Sequence, residues 1–61
     1  LMDNFVYLVL LKAIIEAQIE AMGMMAENKV RELNGLQVAH DEQSFCDIRD
    51  RLNAIWEANR P

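Results

Sequence analysis

Apolar residues recur in the first half of the chain at Leu8, Leu11, Ile15, Ile19, Met22, Ala26, Val30 and Leu33. The gaps are 3, 4, 4, 3, 4, 4 and 3, an 11-residue repeat of about 3.67 residues per turn, which suits a nearly straight α-helix. A polar line of Lys12, Glu16, Glu20, Gly23, Glu27, Arg31 and Asn34 runs opposite. Ala, Leu, Met, Glu, Gln and Lys, all good helix formers, fill the interior. The pattern predicts a first helix over about 4–34, N-capped by Asp3 or Asn4. Asn34-Gly35 supplies the stop, with Gly35 in the left-handed position after the cap and Leu36 packing back onto Val30. A connector over 35–40 follows, with Leu36 and Val38 expected under the hairpin corner. Asp41 is the natural cap of a second helix over about 41–59, and Ser44 with Asp47 is the alternative. This helix carries one narrow stripe, Phe45, Ile48, Leu52, Ile55 and Trp56, with Asp47, Arg49, Asp50, Arg51, Asn53 and Glu57 facing water.

The apolar arc of the first helix is wider than one neighbour needs. A single partner takes an arc of roughly 100°. Here Leu10, Ala13, Ile14, Ala17, Ala21, Met24 and Met25 broaden the line, and Phe5 and Val9 fall on the extension of the polar side. The two helices also differ in length, about 45 Å against about 27 Å at 1.5 Å per residue. Folded back through a short loop, the second is expected to cover the first only from Leu33 to Ala17. Val30 and Leu33 are then expected in the hairpin core with Phe45, Ile48, Leu52, Ile55 and Trp56. The stretch from Phe5 to Met25 is left needing another partner, and the simplest is a second copy. The fold class expected is all-α, a helix-loop-helix hairpin with a long first helix, assembling as a dimeric four-helix bundle. Its self-association interface is expected at Phe5, Leu8, Leu11, Ile15, Ile19 and Met22.

Composition strengthens the need for a partner. Sixty-one residues bury too little surface for a secure core of their own. Cys46 is the lone cysteine, so no internal disulfide can compensate. No metal-ligand cluster and no cofactor motif is present. The hydrophobic share is 52% and the net charge is −4. That balance disfavours nucleic acid and anionic membranes as partners. The apolar run from Phe5 to Leu11 is followed by Lys12, Glu16 and Glu20, far short of the roughly 20 residues a membrane span needs. It lacks a basic preceding region and a cleavage site, so a soluble, cytoplasmic protein is expected, which the single cysteine also fits. Leu1 precedes Met2. Met2 reads either as a start behind a leftover residue or as part of a longer chain.

Candidate chemistry is sparse. Glu16, Glu20 and Glu27 share a face, as carboxylates do in di-iron bundles, but they lie opposite the apolar line and no Glu-x-x-His occurs. They read as a solvated face. His40, Asp41, Cys46 and Asp47 cluster near the loop at a spacing that matches no ligand set. Met22, Met24 and Met25 read as core or self-interface rather than a groove for foreign peptides. Lys29, Arg31, Arg49, Arg51 and Arg60 are interspersed with Glu27, Glu32, Asp47, Asp50 and Glu57, which favours local neutralisation over phosphate binding. No catalytic residue is assigned, and the chain is not expected to be an enzyme.

Two resemblances bear on origin. Asp41-Glu42-Gln43 with Cys46 and Leu52, about a quarter of the chain, resembles the turn and second helix of Rop-type RNA-binding hairpins, which implies a dimeric four-helix bundle. The RNA-contacting basic and aromatic positions of that family's first helix have no match among Glu16, Glu20 and Glu27, so its activity is not carried over. Met25-Ala26-Glu27-Asn28 with Arg31, Gly35, Ala39, Glu42 and Phe45, about a third of the chain, is similar to small bacterial and prophage helical proteins. That likeness brings no activity. The function expected is a small oligomerisation or adaptor module, a homodimer that is open to a further protein partner. The alternatives are a nucleic-acid-linked regulator of Rop or phage type, and a subunit whose apolar helix docks on another protein.

Overall fold

A computed structural model describes residues 3–60. The chain is an all-α hairpin of two helices, α1 (Asn4–Leu33) and α2 (Glu42–Asn59). The Asp3 carboxylate starts α1 by accepting the Val6 backbone N–H at 2.8 Å. At the other end Leu36 N–H donates to the Arg31 carbonyl at 2.8 Å and Gly35 N–H to the Glu32 carbonyl at 3.0 Å. These are the two bonds of a Schellman ending. Gly35 has φ of 73°, the left-handed conformation that glycine adopts without a Cβ clash. The Asn34 side chain adds a third closure, donating to the Val30 carbonyl at 2.9 Å.

The loop does not leave α1 at its end. Asn28, a turn and a half earlier, draws it back along the helix. Its side-chain oxygen accepts the N–H groups of Ala39 and His40 at 3.0 and 2.9 Å. Its Nδ2 donates to the His40 carbonyl at 2.7 Å. Arg31 Nε donates to the Gln37 carbonyl at 2.7 Å. Backbone polar bonds, not apolar packing, therefore shape this corner. Leu36 and Val38, expected beneath it, are exposed instead.

Asp41 caps α2, accepting the backbone N–H of Ser44 at 3.0 Å and its hydroxyl at 3.1 Å. These bonds, the backbone one first, hold the Asp41 carboxyl below its ordinary value, because they favour the ionised form. The alternative cap at Ser44 is not used, and Asp47 accepts from Gln43 Nε2 at 2.9 Å.

Because α2 begins opposite Asn28, its 18 residues reach further toward the start of α1 than Ala17. Ile55 lies beside Ala13 and Ala17. The α1 face turned to α2 is the line Leu10, Ala13, Ala17, Ala21, Met24 and Asn28, half-buried except for Ala17, which is buried. Three of these six are alanine, and small side chains let helix axes approach closely. Facing them, Ile48 is buried and Phe45, Leu52 and Ile55 are half-buried. Among the described residues, Ala17 and Ile48 alone are buried hydrophobics.

This geometry corrects the expected hairpin core at its open end. Val30 and Leu33 are 58% and 74% exposed. The Asn28 clamp starts α2 too far back to cover them, and they lie on a different face from the alanine line. Trp56 is 44% exposed, at the edge of the seam rather than within it. The Cα radius of gyration is 14.9 Å, against about 10.5 Å for a compact chain of this length. Its extents of 50 × 17 × 9 Å describe a slab one helix thick.

Candidate association surface

With α2 occupying the alanine line, the rest of α1 can be placed by its periodicity. Leu8, Ile15, Ile19 and Met22 lie about 140–200° around the axis from Ala17, and Leu11 about 120°. The aliphatic line therefore sits on the far side of α1 from α2. All five side chains are exposed, Ile19 to 64%. Phe5, 75% exposed, stands on the flank that also carries Lys12 rather than in the centre of that face. Ala26, Val30 and Leu33 continue the same line to the end of α1. The face thus combines five of the six proposed interface residues with two of the residues first assigned to the hairpin core.

A second apolar feature was not singled out by periodicity. On one flank of the α1·α2 seam an open groove of about 460 Å³ is lined by Ile14, Ala17, Ala21, Phe45, Ile48 and Leu52, with Gln18, Arg49 and Asn53 at its margins. Its sequence signal is the alternation of Ile14 with the small residues Ala17 and Ala21. Tyr7 and Met25, also exposed, extend this flank along α1. The aliphatic far side and the groove flank make a broad apolar surface.

The other flank of the seam is polar. Arg51 of α2 pairs with Glu20 of α1, and Lys12 pairs with Glu16 four residues on. Glu27 meets His40 at 3.3 Å. Elsewhere on α2 Arg49, at the margin of the groove, pairs with Asp50 at 3.1 Å, and Arg60 pairs with Glu57 at 3.2 Å. Asp50, through its hydrogen bond and then its charge, raises the Arg49 guanidinium above its ordinary value. These are exposed pairs, each adding little to stability. The Glu16, Glu20 and Glu27 pairs give the hairpin a charged flank across the seam from the apolar groove.

The remaining chemical candidates do not converge. Glu16, Glu20 and Glu27 are engaged by Lys12, Arg51 and His40 respectively. The His40 backbone is fixed by Asn28, and Cys46 is half-buried on α2. Among the described residues no group of three His, Cys, Asp or Glu is placed to hold a metal ion. Among the described residues no helix is long and apolar enough to cross a membrane. Asn28, like the groove, was missed by periodicity. Its signal was a polar residue in register with Ala17, Ala21 and Met24, on a line otherwise apolar.

The chain matches no protein family, no curated protein and no solved structure. Its functional reading rests on its own residues.

Proposed function

We propose that this chain is a non-catalytic, cytoplasmic self-associating module whose working unit is a homodimer of hairpins, a four-helix assembly. The observation that carries this reading is the placement of Leu8, Leu11, Ile15, Ile19 and Met22 on the side of α1 turned away from α2, where all five are exposed. Contiguous apolar surface of this extent on a small chain marks an association site. A second copy offers the same face and buries both at once. The charged flank, where Glu20 and Arg51 pair across the seam, stays in water in this arrangement.

Size-exclusion chromatography with light scattering tests the reading. The expected result is a dimer at micromolar concentration, and a folded monomer there would overturn it. Ile15→Asp and Leu8→Asp are expected to dissociate and unfold the chain, whereas Glu16→Ala leaves mass and helicity unchanged. A well-folded Ile15→Asp dimer would place the interface elsewhere. A monomer that binds RNA or DNA salt-sensitively, and less so with Arg49 and Arg51 neutralised, would support the nucleic-acid regulator instead.

A further inference from the structure

Resting on the self-association just proposed, the geometry points to a specific arrangement: two α1 helices pair antiparallel along nearly their whole length, with the two-fold axis between Glu20 and Ala21. The apolar line along α1 has gaps that read the same in both directions. An antiparallel pair related by a two-fold must match such a line to its own reverse. Three registers do so. One centres on Ile15 and uses the line only from Leu8 to Met22. One centres on Ala26 and uses it only from Ile19 to Leu33. The third centres between Glu20 and Ala21 and uses all of it.

The structure distinguishes them at the ends of α1. Val30 and Leu33 stay exposed because α2 starts back at Asn28. The Ile15 register leaves both beyond the start of the partner's α1 at Asn4, still in water, and the Ala26 register leaves Leu8 and Leu11 beyond the end of the partner's α1 in the same way. The longer register sets Leu33 against the partner's Leu8 and Val30 against the partner's Leu11. Nearer the axis it sets Ile15 against the partner's Ala26, a large side chain over a small one, and Ile19 against the partner's Met22. Every layer is apolar.

The surface area fits a second copy of this chain as the occupant. The hairpin exposes 4974 Å², where a compact 7.0 kDa protein exposes roughly 4,000 Å². The excess of roughly 900 Å² is close to the share each partner gives to a standard stable interface, about 800 Å².

A nitroxide label at Lys12 measures the register without touching the apolar line, since Lys12 lies on the exposed polar flank. The variant is Lys12→Cys with Cys46→Ser, read by pulsed electron paramagnetic resonance. The longer register puts the two labels roughly 25–30 Å apart, given 1.5 Å per residue and axes 8–10 Å apart. The Ile15 register and a parallel pair both put them roughly 10–15 Å apart. The Ala26 register puts them roughly 40–45 Å apart. A dimer with the short or this longest distance overturns the proposed register and leaves self-association standing. A monomeric mass overturns both. As a second measurement, Leu8→Cys and Leu33→Cys chains, each with Cys46→Ser, are mixed and oxidised. The proposal expects a disulfide joining the two kinds of chain and little product from either alone. An Ile15→Cys chain that cross-links to itself would overturn it.

Discussion

Asn28 decides where the hairpin closes. One amide side chain satisfies three backbone groups of the loop, two donors and one acceptor. Each such bond contributes about 0.5–1.5 kcal/mol net. Asn28→Ala is expected to destabilise the hairpin by about 2–3 kcal/mol, measured by urea unfolding at fixed protein concentration. Asn28→Asp keeps the acceptor and loses the donor, so its cost should fall between wild type and Ala. Equal stability of all three would show that the loop position is held by something else. Gly35 acts at the same corner through its positive φ, whereas Gly23 lies within α1 without one, and a Cβ there would meet nothing within 4 Å.

At the scale of the helices, α1 packs on α2 through one line of side chains and turns a different line away from it. The line toward α2 is small, and the far line is large. Ala17→Leu should overpack the seam against Ile48 and cost about 1–3 kcal/mol, read as a lower urea midpoint with unchanged slope. A neutral result would mean that the adjacent groove absorbs the added bulk. Both helices, their caps and the Gly35 stop were legible in the sequence, because capping and periodicity are local and each has its own residue signature. The stripe on α2 was legible for the same reason. What failed was the pairing of faces. The strongest aliphatic line, Leu8 to Leu33, was assigned at its C-terminal end to the hairpin, with Val30 and Leu33 as core. Hydrophobicity ranks large side chains first, whereas a close helix pair selects small ones, so the alanine line was read as a mere widening of the stripe. The loop added to the error. A connector of known length does not reveal that Asn28 folds it back along α1, and that shift alone moves the reach of α2 by several residues.

The whole molecule has little interior. With Ala17 and Ile48 as its buried hydrophobics among the described residues, the isolated hairpin lacks the core that chains of this size need. Folding and association should therefore be one transition. The melting temperature is expected to rise with protein concentration, as mass action requires for a coupled dimer. Circular dichroism melts across a wide dilution series check this, and a midpoint independent of concentration would mean that the hairpin is stable alone.

The 9 Å thickness of the slab has a consequence for how substitutions act. A body one helix thick has no middle beyond the seam of Ala17 and Ile48, so on the far side of α1 inside and outside are not properties of the lone chain. Ile19 is surface by exposure in one copy and core in the proposed pair. Tolerance to a polar residue at such a position is then set by how much of the chain is assembled. The same change could pass unnoticed in a dilute, already unfolded population and be severe where the protein is abundant enough to do its work.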